Sequence, residues 1–63
     1  MRRIFTKRFF DLSVRDKAAI VDSEIRDLEN TVGFYDARDP RRACVRRQLA
    51  TLRRKAIKFG VYQ

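Results

Sequence analysis

The fold is decided by residues 14–32, which read VRDKAAIVDSEIRDLENTV. Apolar side chains recur here at alternating spacings of four and three residues, at Val14, Ala18, Val21, Ile25, Leu28 and Val32. That period places them on one face of an α-helix. Ser13 can cap the start of the helix, and Gly33, just past the last apolar residue, is a common helix stop. The sequence therefore predicts a helix over residues 13–32.

A second stretch repeats this spacing nearer the C-terminus. Its apolar residues are Val45, Leu49, Leu52, Ala56 and Phe59. Asp39 is a good N-cap, Pro40 suits the first helical position, and Gly60 follows as a stop. We predict a helix over residues 40–59, joined to the first by a turn over residues 33–39.

The two apolar faces match when the chain folds back on itself. The layers of this antiparallel register are Val32–Val45, Leu28–Leu49, Ile25–Leu52, Val21–Ala56 and Ala18–Phe59. The same register brings opposite charges together at Glu29–Arg46, Asp22–Arg53 and Glu24–Lys55. Exposed ion pairs contribute about 0–1 kcal/mol each, so these favour register and orientation more than stability. We therefore expect an all-α fold, a coiled-coil-like antiparallel two-helix hairpin over residues 13–63.

Residues 1–12 form a basic N-terminal arm rich in phenylalanine. Phe5, Phe9 and Leu12 have helical spacing, which permits a short third helix. Two interpretations of the aromatic residues Phe5, Phe9 and Phe10 stay open. They either complete a small three-helix core or form a contact with a partner or a second copy of the chain.

The length of the chain and its composition limit the classes of protein to which it can belong. With 63 residues the chain forms a single, marginally stable domain. Its one cysteine, Cys44, fits a reducing interior, so we expect a cytoplasmic location. The basic, acid-free residues 1–10 are also typical of a mitochondrial targeting segment, which is an alternative. No apolar run reaches the length of a transmembrane segment.

Enzyme chemistry finds little support in these residues. The chain has no histidine, so the commonest general base is missing and Cys44 lacks its usual activating partner. No glycine-rich phosphate loop is present. We predict a protein that is not an enzyme and uses neither a cofactor nor a metal.

Charge is the main functional signal. The chain carries 16 Lys and Arg against 8 Asp and Glu, and residues 40–63 contain no acid. The guanidinium group of arginine suits bidentate phosphate contact. The predicted nucleic-acid-binding residues are Arg41, Arg42, Arg46, Arg47, Arg53, Arg54 and Lys58, with Arg2, Arg3 and Arg8 as a second patch. Arg46 and Arg53 are the weaker candidates, because the predicted register pairs them with acids. The residues which that pairing leaves free are Arg41, Arg42, Arg47, Arg54 and Lys58.

These features predict a small nucleic-acid-binding protein. RNA is favoured over DNA, because no recognition helix follows a short helix-turn. The alternative is a small helical regulator or inhibitor, of the kind that phages encode, which binds a host protein through the basic face and through Phe5, Phe9 and Phe10. A homodimer and a structural subunit of a large particle also stay open.

Two resemblances accompany this interpretation. The segment Val45–Leu52, VRRQLATL, resembles a basic segment in the second helix of the ribosomal helical-hairpin protein of the exit-tunnel region. The likeness does not extend into the first helix. The architecture is similar to that of ROP-type hairpins, which pair into four-helix bundles. Neither resemblance identifies a family.

Overall fold

The computed structural model describes residues 3–61, and within them the chain forms three α-helices. They are α1 (Lys7–Phe10), α2 (Val14–Phe34) and α3 (Pro40–Lys58), and no β-strand occurs in this range. The two long helices pack against each other as a hairpin, and the arm that contains α1 packs against them. The predicted all-α hairpin with a short N-terminal helix is confirmed.

Helix α2 begins as predicted but ends later. The Ser13 hydroxyl accepts a hydrogen bond of 3.1 Å from the backbone N–H of Asp16. At the other end the helix runs through Gly33 to Phe34, so the predicted stop at Gly33 is wrong. Tyr35 then leaves the helix in an extended conformation, and the turn is confined to the residues between α2 and α3.

Helix α3 ends in a Schellman arrangement. Gly60 has a φ of 72°, in the left-handed region that glycine adopts without strain. Its N–H donates to the carbonyl of Ile57 at 3.0 Å, and the N–H of Val61 donates to the carbonyl of Ala56 at 2.9 Å. The side chains of Val61 and Ala56 are both buried, which supplies the apolar contact usual in this motif.

The core follows the predicted apolar faces of the two long helices. Within the described range the buried hydrophobic residues are Phe9, Val21, Ile25, Leu28, Leu49, Leu52, Ala56 and Val61. Leu52 and Val21 are the largest fully buried side chains, and they belong to the middle predicted layer and the one after it. The outermost predicted layer is looser, because Ala18 is exposed and Phe59 keeps 40% of its surface in solvent. The seam is therefore tight in the middle and looser at the end of the hairpin away from the turn.

Helix α1 is a single turn whose place depends on one aromatic residue. An isolated helix of this length is unstable, because the cost of nucleation exceeds the gain of so few hydrogen bonds. Phe9 is only 3% exposed and belongs to the core. The Phe5 ring lies 5.3 Å from the Phe9 ring at an angle of 88°, and Phe5 is half-buried. Phe9 and Phe5 thus complete a small three-helix core, whereas Phe10 stays 42% exposed.

The charge pairs between the helices differ from those predicted. Glu29 pairs with Arg53 at 3.3 Å instead of with Arg46. Asp22 pairs at 3.2 Å with Arg26 on its own helix, because a partner four residues away is always within reach on a helix surface. Glu24, expected at the surface, is buried at 6% exposure, and its pairing with Lys55 stays a prediction.

Candidate nucleic-acid interface

The outward face of α3 carries a line of cations. Arg47, Arg54 and Lys58 follow each other at offsets of seven and four residues, so they project from one side of the helix. We call these three residues the outer stripe. All three are exposed, and the buried residues Leu49, Leu52 and Ala56 lie on the other side of α3. At 1.5 Å per residue the stripe is about 16 Å long.

The cations of the outer stripe have only weak contacts. Among the described residues no carboxylate lies within ion-pairing distance of any of them. The Arg54 Nη2 atom donates to the Thr51 hydroxyl at 3.4 Å, and the Lys58 ammonium lies 5.8 Å from the centre of the Phe59 ring. Their charge therefore faces solvent.

Arg41, which was predicted to be free, forms an ion pair with Asp39, the N-cap of α3. Its guanidinium donates to both carboxylate oxygens of Asp39, with the shortest distance 2.7 Å, and lies 4.8 Å from the centre of the Tyr35 ring. Asp39 also accepts a 2.9 Å hydrogen bond from the backbone N–H of Arg41. The Arg41 side chain and then this backbone hydrogen bond hold the pKa of Asp39 below its ordinary value. A cation that opposes the dipole at the start of α3 is thus compensated locally.

Arg53 is engaged, as predicted, although its partner is different. It forms the ion pair with Glu29, and its Nε atom is buried without a hydrogen-bond partner in the described chain. Glu29, the predicted partner of Arg46, pairs with Arg53 instead. Arg46 is exposed, and no carboxylate of residues 3–61 lies within ion-pairing distance of it. Arg42 is half-buried. Arg46 therefore replaces Arg41 among the exposed cations that carry no paired acid.

The N-terminal patch is divided by the structure. Arg2 lies outside the described residues. Arg3 is exposed and lines a cleft between the N-terminal arm and α3, together with Lys7 and Lys55. Arg8 borders a separate, shallower depression beside Ile20 of α2. Arg3 and Arg8 therefore do not form one site.

Lys7 and Lys55 were not among the predicted binding residues. They are far apart in sequence and meet only because the arm docks beside α3. The available signal was the absence of any acid from residues 1–10 and from residues 40–63, which makes every cation of both segments a candidate.

Other chemistry has little support in the described range. No group of three or more side chains of the metal-binding types is arranged to hold an ion there. Cys44 is exposed and unpaired, and its nearest polar contact is the Gln48 amide at 3.9 Å. Within residues 3–61 no helix combines the length and hydrophobicity needed to cross a bilayer.

No protein-family model matches the chain, and neither a curated protein nor a solved structure is significantly similar to it. Function is therefore inferred from the geometry of the basic surface alone.

Proposed function

We propose that this chain is a non-enzymatic nucleic-acid-binding protein that contacts phosphates through the outer stripe and Arg46. The observation that carries the proposal is that Arg46, Arg47, Arg54 and Lys58 are exposed on α3 with no carboxylate of the described chain within ion-pairing distance of them. Four unneutralised like charges on one helix repel each other, and an anionic ligand relieves that repulsion. Arginine adds the bidentate geometry that phosphate favours.

The spacing of the outer stripe fits a nucleic-acid backbone. Arg47 and Arg54 are about 10 Å apart along the helix axis, and in a DNA duplex successive phosphates of one strand advance about 3.4 Å along the duplex axis. The two side chains can therefore reach phosphates about three nucleotides apart. With Arg46 and Lys58, about four phosphates would be contacted, which predicts a log–log salt slope of about −3.

RNA is the favoured ligand over a specific DNA site. Helix-turn-helix readers place a recognition helix steeply across its neighbour so that it can enter the major groove. Here α3 packs along α2 in a hairpin, and its exposed face carries phosphate-binding arginines. We therefore expect little sequence preference. The exposed, unpaired Cys44 agrees with a reducing compartment such as the cytoplasm.

The experiment is a salt titration of binding, measured by the fluorescence anisotropy of a labelled RNA. Arg47→Gln and Arg54→Gln should each weaken binding and reduce the slope by about 0.7–0.9, one phosphate contact each. The matched control is Arg15→Gln, which removes the same charge from an exposed position on the first turn of α2. Binding that ignores salt, or variants of α3 that behave like Arg15→Gln, would refute the proposal.

The second candidate function is a small regulator that binds an acidic protein surface. The exposed ring of Phe10 beside Phe59 favours it, since exposed aromatic residues are common contacts in protein interfaces. Phe10→Ala would then abolish capture of the partner, whereas it would only weaken nucleic-acid binding. A pull-down and the anisotropy titration, run on the same variant, separate the two functions.

A further inference from the structure

Two partly exposed aromatic rings contact each other at the end of the hairpin away from the turn, which we call the open end. Phe10 and Phe59 keep 42% and 40% of their surfaces in solvent, and their ring centres are 5.0 Å apart at an angle of 79°. The half-buried Phe5 ring lies beside both, with its centre 6.4 Å from that of Phe10 and 5.2 Å from that of Phe59. We call Phe10 and Phe59 the aromatic pair. Packing against Phe5 holds it in place, so its exposed surface is preformed.

A basic cleft adjoins the aromatic pair. It runs between the N-terminal arm and α3, with the cations Arg3, Lys7 and Lys55 around a partly apolar lining that includes Phe5 and Leu52. No acidic residue is among the described residues that line it. The cleft therefore offers positive charge beside apolar surface.

The outer stripe, the aromatic pair and the cleft are neighbours in space. Lys58, the last cation of the outer stripe, lies over the ring of Phe59. Phe5 lies against Phe59 and also lines the cleft. The aromatic pair therefore has cations on both sides.

We infer that this surface binds single-stranded nucleic acid, with unpaired bases stacking on the aromatic pair. The phosphates would contact Lys58 on one side and the cations of the cleft on the other. Single-strand binding sites combine a basic groove with aromatic side chains on which bases stack. In a duplex the base faces are already stacked on each other, so a duplex gains nothing from the exposed rings. The inference rests on the proposed function and specifies its ligand.

Charge decides between this ligand and a second copy of the chain. A self-association through the aromatic pair would bring Lys58, Lys7 and their counterparts together, and like charges at an interface are unfavourable. An anionic strand has the complementary charge and brings its own planar groups to the rings.

The first test places a reporter in the aromatic pair. The chain contains no tryptophan, so Phe59→Trp introduces a single indole. A stacked base should quench its fluorescence, and we expect quenching by an unstructured single-stranded RNA but not by a duplex of the same length. The control is Phe34→Trp, at a position that is 85% exposed at the other end of α2, where neither RNA should quench.

The second test removes each ring and keeps an apolar side chain. Phe10→Leu and Phe59→Leu should each lower single-strand affinity by about fivefold or more, which is the loss expected when one base stack is removed. Duplex affinity should not change, and Phe34→Leu should leave both affinities unchanged. Circular dichroism of the Leu variants confirms that the helices persist.

The outcomes separate the two proposals. Equal quenching by single strand and duplex, or an unchanged single-strand affinity in Phe59→Leu, would overturn the inference. The proposed function would still stand if Arg47→Gln reduced the salt slope. If no probe bound with salt dependence, both would fail. A dimer in sedimentation that Phe59→Leu converts to a monomer would assign the aromatic pair to an interface between copies, which also overturns the inference.

Discussion

Phe9 should decide whether the small core of this protein holds together. It is the one residue of α1 that is buried, at 3% exposure, and it connects the N-terminal arm to the cluster formed by α2 and α3. Truncating a buried phenylalanine to alanine costs about 3–5 kcal/mol. A domain of this length has a total stability of only about 3–9 kcal/mol. We therefore expect Phe9→Ala to remove a third or more of the free energy of unfolding.

The assay is urea denaturation followed by the helical signal in circular dichroism. For a small domain with a slope of about 1 kcal/mol per molar urea, the midpoint should fall by about 3 M, or the variant should be unfolded without urea. The matched control is Phe10→Ala, the neighbouring residue, which gives up less buried surface because it is 42% exposed. If Phe9→Ala and the parent had the same midpoint, α1 would not be part of the core.

The remaining predictions concern the ends of the helices. Gly33→Ala should stabilise the protein by about 0.5–1 kcal/mol, because Gly33 is helical and an added Cβ would meet nothing within 4 Å. Gly60→Ala should destabilise the protein by about 1 kcal/mol, because the φ of +72° is strained for alanine. If the two glycine variants shifted the urea midpoint in the same direction, both predictions could not hold. The lowered pKa of Asp39 means that its contribution to stability is present above about pH 4 and is lost as the pH falls through the lowered value. Thermal melts between neutral and acid pH should therefore show a shallower loss in Asp39→Asn than in the parent.

The two glycines show why one helix end was predictable and the other was not. Gly60 is followed by Val61, whose side chain is buried, so the left-handed turn is stabilised by an apolar contact with the end of α3. Gly33 is followed by Phe34, which is 85% exposed and has no such contact to make. A glycine alone permits a helix to stop, whereas the buried residue after it makes the stop favourable. In the sequence both glycines follow the last residues of an apolar face, so they looked equivalent. Whether the residue after each glycine is buried depends on the tertiary structure, which the pattern does not give.

The hairpin and the central part of its apolar faces were predictable, because burial of apolar side chains dominates the stability of the fold and follows a fixed period along each helix. The ion pairs were less predictable, because long side chains reach partners one turn away at little cost. The predicted register assigned Glu29 to Arg46, but Glu29 pairs instead with Arg53, two turns further along α3. The basic cleft was missed for a related reason. Lys7 and Lys55 become neighbours only through the docking of Phe9 and Phe5, which periodicity alone leaves undecided.

The paired and unpaired arginines give the hairpin a polarity along its length. Arg41, next to the turn, is neutralised by Asp39. The exposed cations of α3 that have no paired acid begin at Arg46 and Arg47 and continue to Lys58, beside the ring of Phe59 at the end of the hairpin away from the turn. Unneutralised charge and exposed aromatic surface therefore meet at the same end of the molecule. A bound strand would thus lie from the middle of α3 towards the end of the hairpin away from the turn, and it would leave the turn free. A bulky thiol label on Phe34→Cys, in a chain that also carries Cys44→Ser, should therefore not compete with it.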